Sequence, residues 1–230
     1  TFLYYYEKIA RDQDFEVATF KYHYQKTDAA PYSFAMAESD ENIWARFEQS
    51  AAPDQVMPLW QYPYMVMTIN YPWNKFYKRA FLTENLITFP DLRLHEDISF
   101  HWLAMTLAQK HYFALNYPPL IVHNRVPNRD RATDGADARR LQLLDASEIV
   151  LKHLNDHSYL QMYSPIFLRF FMDVYFWAKD TIHVSHQAEL SRGSVECLTR
   201  HYSGERLDYV QMVDAEMAER LAEFIETEAA

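Results

Sequence analysis

Two adjacent carboxylates stand at the start of an expected helix, in His95-Glu96-Asp97. Acidic side chains in a first turn face the positive end of the helix dipole, which favours their ionised forms. A carboxylate held there can take the proton of a hydroxyl as that oxygen attacks an electrophile. The same placement is common for helix stability alone. The triplet is not a zinc-protease motif. His101 follows His95 by six positions, about 600° of helical rotation at ~100° per residue, so the two rings diverge.

Other groups invite chemistry. Asp12-Gln13-Asp14 has the carboxylate spacing that suits Mg²⁺ or Mn²⁺. Such a pair belongs at the carboxyl end of a buried strand. Here it follows a helix and precedes a strand, so it reads as a polar connection. Arg125, Arg129, Arg131 and Thr133 share one loop. Guanidinium forks hold phosphate oxygens, although Asp130, Asp134 and Asp137 are on hand to neutralise them. Trp73-Asn74-Lys75 sets an aromatic beside an amide and an ammonium. That combination stacks on and hydrogen-bonds a sugar, or equally supplies a core Trp, a helix cap and a surface Lys. Cys197 lacks the local His/Asn pattern of a nucleophile. No pair of the ten His residues has ligand spacing beside a carboxylate, which disfavours a metal hydrolase.

Composition bounds the rest. The 230 residues are 49% hydrophobic and 16% aromatic, with a net charge of -10. A disordered chain would be poor in aromatics. Glycines occur only at Gly135, Gly193 and Gly204, so no glycine-rich phosphate loop can be written. The single Cys excludes an intramolecular disulfide and a multi-Cys zinc site, and fits a reducing, cytoplasmic compartment. No Lys/Arg run offers a nucleic-acid footprint. No stretch reaches the ~18 apolar residues of a membrane span. The chain starts at Thr1 inside a pattern, without Met or a signal peptide, as an incomplete sequence would.

The elements expected to position these residues run as follows. Residues 1–11 form an amphipathic helix. Residues 15–24 form a strand with Ala18, Phe20, Tyr22 and Tyr24 on one face. Residues 27–32 turn at Pro31, and 40–49 are helical. Tyr64 to Ile69 is expected as a strand, Trp73 to Leu82 as a short helix, and His95 to Lys110 as a helix. Strands follow at 112–116 and 120–123, then a polar loop to Gly135. Beyond it the composition turns helical, over 137–157, 159–182, 191–200 and 205–228. This gives a mixed α/β part over 1–134 and a helical extension over 135–230.

The order of these pieces, from Pro72 to Arg125, resembles the second half of a family 2 glycosyltransferase of the GT-A fold. The carrying motifs are Asn74-Lys75-Phe76-Tyr77, Arg79-Ala80-Phe81-Leu82, Phe89-Pro90, Glu96-Asp97-Ile98-Ser99-Phe100, Pro118-Pro119 and His123-Asn124-Arg125. The resemblance covers residues 1–134. It implies a partial GT-A mixed sheet followed by an all-α extension. It also implies inverting transfer of a sugar from a nucleotide-diphosphate donor to a hydroxyl acceptor such as a glycan. Asp97 matches the catalytic base and Glu96 sits beside it. Trp73, Asn74 and Lys75 fall on the acceptor side. Arg125, Arg129, Arg131 and Thr133 match the loop that closes over the donor diphosphate. Mg²⁺ or Mn²⁺ would be held upstream of Thr1, so no metal ligand is assigned within the chain. The helical tail is free to pack on the catalytic part, form a homo-oligomer or touch the inner face of the membrane. The rival reading is a non-catalytic α-helical interaction module using the aromatic surface from Phe170 to Trp177.

Overall fold

The computed structural model describes residues 2–25, 35–50, 55–124 and 135–229. In chain order the elements are α1 (Phe2–Asp12), β1 (Val17–Phe20), β2 (Tyr22–Gln25), α2 (Glu38–Ser50), β3 (Val56–Met57), β4 (Lys75–Tyr77), α3 (Arg79–Glu84), α4 (Glu96–Leu107), β5 (His111–Ala114) and β6 (Ile121–Asn124). The helices α5 (Gln142–Asp156), α6 (Ser164–Thr181), α7 (Val184–His201), α8 (Glu205–Val213) and α9 (Ala215–Ala229) complete the chain. This is a mixed α/β fold followed by a helical C-terminal part.

The chain divides into two compact units, 1–88 with 100–130, and 89–99 with 131–230. The second unit therefore takes in residues 89–99 as well as the tail expected from 135.

In the first unit a mixed sheet has the order β3-β5-β1-β4. β1 runs parallel to β5, with Ala18 opposite Tyr112, and antiparallel to β4, with Ala18 opposite Phe76. All four residues of β1 are buried. Ala18 and Phe20 pack with Ile9 of α1, Phe15, Tyr112 and Ala114. On the opposite face, Phe113 meets Trp44 and Phe47 of α2 at ring separations of 6.2 and 4.8 Å. A strand covered on both faces loses the in–out alternation of a half-exposed one. That is why the single alternating strand expected over 15–24 resolves differently. It breaks at Lys21, and β2 pairs instead with β6 in a separate parallel two-stranded sheet, Tyr22 opposite Ile121.

Two further expectations are corrected. Tyr64 to Ile69 is no strand. Pro63 opens a 3₁₀ segment, Pro63–Met67, because its fixed φ suits a helical first position and it lacks an N–H. Trp73 to Leu82 is not one helix but a 3₁₀ turn at Pro72–Asn74, the strand β4 and the helix α3. Pairing of β4 with β1 outweighs the local helical preference of Lys75-Phe76-Tyr77.

In the second unit α6 starts with Pro165 in its first turn, as expected, after a 3₁₀ segment at Ser158–Tyr163. Phe167, Leu168, Phe171 and Tyr175 are fully buried. Tyr175 packs edge-on against Phe224 of α9 at 4.8 Å. Glu228 receives the Tyr175 hydroxyl and the Lys179 ammonium, and the Ser191 hydroxyl at 2.7 Å. Of the aromatic surface that the interaction-module reading uses, Phe171 and Tyr175 are core. Phe176 and Trp177 are the members left 46% and 41% exposed. No helix among the described residues is long and apolar enough to cross a membrane.

Candidate functional site

The first turn of α4 carries Glu96 and Asp97, both half-buried. The rest of that helix is almost entirely interior: Ile98, Phe100, Trp102, Ala104 and Met105 are at most 5% exposed. The approach to the first turn is fixed. Gln142 Oε1, at the start of α5, accepts the backbone N–H groups of Arg93 at 2.8 Å and Leu94 at 3.0 Å. His95 then adopts φ 67°, a left-handed conformation uncommon for a residue with a Cβ. Its carbonyl accepts from the Ile98 N–H at 3.1 Å.

The His95 ring is 7% exposed and lies edge-on to Trp177 at 6.1 Å. Trp177 carries the Arg140 guanidinium over its face at 4.5 Å. Burial first, and the Arg140 charge second, lower the His95 pKa to about 4. The ring is therefore neutral at physiological pH. The left-handed turn at His95 sets the direction in which the chain enters Glu96-Asp97.

In the first unit, Trp73 is half-buried while Asn74 and Lys75 are 0% and 4% exposed. The Lys75 ammonium donates to the Ile69 carbonyl at 2.7 Å, the Tyr71 carbonyl at 3.2 Å and Asn74 Oδ1 at 2.7 Å. An ammonium has three donors, so all three are engaged within the protein. Its charge also faces Asp40 of α2, which is 1% exposed and accepts the Ile69 N–H at 3.0 Å. Burial pushes the Asp40 carboxyl above its ordinary value, and Lys75 pulls it part of the way back. The Tyr22 hydroxyl faces Asp40 and accepts the Ala37 N–H at 3.3 Å.

Trp73 lies next to Asn74 and Lys75 in sequence and is half-buried. Its ring stacks on His123 of β6 at 5.0 Å with 6° between planes, and on Tyr71 at 4.7 Å. Tyr22 meets it edge-on at 5.3 Å. Tyr24 stacks on His123 at 5.3 Å. Five rings from three segments, β2, residues 71–73 and β6, thus form one aromatic wall, backed by the buried Asp40–Lys75 pair.

The expected site residues fall in two places. Trp73, Asn74 and Lys75 belong to the first unit, and Glu96 and Asp97 to the second. Arg125, Arg129, Arg131 and Thr133 lie outside the described residues. Three groups were missed from the sequence. Asp40 reads in the sequence only as the start of a helix and is a buried counter-charge. Gln142 has no motif. The third group is Glu148, Cys197 and His201, whose ligand atoms lie within 4.8 Å of one another. Cys197 and His201 are four apart, one helical turn on the same face of α7. Burial pushes the Cys197 thiol up to about 12.

Asp14 belongs to the carboxylate pair of the α1–β1 connection. The Asp14 carboxylate is exposed and pairs with Lys110 and, at 3.3 Å, with Lys78. Those contacts, Lys110 foremost, hold its carboxyl below the usual range. Two ammonium groups at one carboxylate do not fit a Mg²⁺ or Mn²⁺ ligand. The soft donors of the Glu148–Cys197–His201 group do not suit those ions either.

No family model matches this chain. No curated protein is significantly similar to it in sequence. Among solved structures it resembles S. aureus TarS 1–349 in complex with UDP-GlcNAc, with a TM-score of 0.61 at 13% identity. The match takes in 98% of this chain and 62% of that one. At that identity the likeness shows a common fold. The chain spans less than two thirds of the structure it matches.

Proposed function

We propose that this chain is the acceptor-side part of an inverting glycosyltransferase that moves a sugar from a nucleotide-diphosphate donor to a hydroxyl acceptor, as in glycan or cell-surface polysaccharide synthesis. The observation that carries the proposal is the fold match, over nearly the whole chain, to a structure holding UDP-GlcNAc. The carboxylate pair at the first turn of α4 supports it.

In this reading Asp97 accepts the acceptor's hydroxyl proton as that oxygen bonds to the anomeric carbon. The bond from that carbon to the donor phosphate oxygen breaks, and the nucleoside diphosphate leaves with the electron pair. Glu96 orients the acceptor. Gln142 and the strained His95 fix the turn, so that little reorganisation accompanies proton transfer. Trp73 offers an aromatic face for a sugar ring. Asn74 and Lys75 act through it, since their own polar groups are engaged. Arg125, Arg129, Arg131 and Thr133 hold the departing diphosphate. The donor pocket and its Mg²⁺ or Mn²⁺ belong to a part of the enzyme beyond these 230 residues. The lone Cys fits action in the cytoplasm, at or near the inner face of the membrane.

The test is titration of the complete protein with nucleotide-sugars and Mn²⁺, scored by nucleotide release. Release that depends on donor and on a hydroxyl acceptor is expected. Absence of both binding and release across a panel of donors contradicts the reading.

A further inference from the structure

We propose that Glu148, Cys197 and His201 form a zinc site that ties α5 to α7. The observation is geometric. Glu148 Oε2 lies 3.0 Å from His201 Nε2 and 3.7 Å from Cys197 Sγ. All three ligand atoms sit within 4.8 Å of one another. A tetrahedral zinc with Zn–S of about 2.3 Å and Zn–N and Zn–O of about 2.0–2.2 Å separates its ligand atoms by roughly 3.4–3.6 Å. The observed spacings bracket that range, so sub-ångström shifts admit the ion.

The donor chemistry fits a borderline-soft ion. Thiolate, imidazole and one carboxylate suit zinc and do not suit magnesium or calcium. Two anionic ligands cancel the charge of a divalent cation. Three protein ligands leave a fourth position for water.

The surroundings fit too. Cys197 and the His201 ring are 5% and 8% exposed, so little ordering remains to be done. Asn155 meets His201 Nδ1 at 2.8 Å. With its amide turned over, Asn155 Oδ1 accepts the Nδ1–H and leaves the Nε2 lone pair for the metal, the usual outer partner of a ligating His. One group opposes binding. The Arg200 guanidinium reaches Glu148 at 3.3 Å. It is 63% exposed and free to swing into solvent when a cation arrives. Binding releases the thiol proton, which leaves to solvent as the Zn–S bond forms.

The site lies in the helical unit and is independent of the transferase reading. Its test is metal titration of the chelator-treated protein with Co²⁺ as a spectroscopic probe, followed by competition with Zn²⁺. Cys197 is the only Cys, so a thiolate-to-cobalt charge-transfer band reports on it directly. One equivalent is expected to give that band with intense tetrahedral d–d absorption, and Zn²⁺ to bleach both. Glu148→Gln and His201→Ala are expected to weaken binding at least tenfold, and Arg200→Ala to strengthen it. Absence of the charge-transfer band at one equivalent overturns the proposal. So does a band whose affinity is unchanged in Glu148→Gln, a half-exposed position where the substitution leaves the fold intact by circular dichroism.

Discussion

The Gln142 carboxamide oxygen accepts two consecutive backbone N–H groups, Arg93 at 2.8 Å and Leu94 at 3.0 Å. A residue at the start of the helical tail thereby fixes the loop that leads into Glu96-Asp97. The tail is part of the apparatus that holds the carboxylates.

Gln142→Ala is expected to leave the Leu94 N–H partly buried without a partner, at about 1–3 kcal/mol. Urea unfolding should show a lower midpoint with an unchanged slope. Gln142→Glu keeps an acceptor and should lose less. Equal stability of Gln142→Ala and the parent contradicts the clamp.

The buried pair behind Trp73 predicts strong coupling. Lys75→Met strips a buried carboxylate of its counter-charge, a change that costs about 3–5 kcal/mol. Adding Asp40→Asn to that variant should recover much of the loss. A double-mutant cycle by chemical denaturation measures the recovery. Additive effects of the two changes would show that Asp40 and Lys75 do not depend on each other.

Three buried histidines predict sensitivity to acid. Burial is the leading cause that depresses His95 and His111 to about 4 and His101 well below its ordinary value. The unfolded chain protonates near 6.5, so between that pH and about 4 it binds protons that the fold refuses. The histidine contribution is full above pH ~6.5 and falls as pH drops through that window, by up to about 1.4 kcal/mol per pH unit for each ring. Asp40 acts in the opposite sense. Its raised carboxyl takes a proton in the folded state before the unfolded one, which offsets part of the loss. The net expectation is a lower urea midpoint at pH 5 than at pH 7. His95→Asn tolerates the left-handed backbone and should flatten the slope. A midpoint that rises on acidification contradicts this account.

The sequence made some of this legible and hid the rest for physical reasons. The α4 helix and its first-turn acids could be read because periodicity and dipole placement are local properties. β5 and β6 were read to within a residue or two, because β-branched and aromatic types bounded by Pro and Asn mark short strands. Pro63 and Pro72 misled where they should have guided. Each opens a 3₁₀ turn, and Lys75-Phe76-Tyr77 becomes a strand only because β1 is there to pair with it. Gln142 and Asp40 carry no local signal, since their partners lie 48 or 49 and 29 positions away. Cys197 and His201 did carry one, the one-turn spacing on a helix. It passed unread because their third partner, Glu148, is 49 residues from Cys197.

The central claim is the role of the Asp97 carboxyl. Turnover of Asp97→Asn, measured in the complete enzyme beside donor affinity, tests it most directly. The amide keeps the shape and cannot take a proton. A loss of about 10²-fold or more in the transfer rate, with nucleotide-sugar binding retained, is the expected result. Near-parental turnover in that variant would remove Asp97 as the base and with it the proposed chemistry.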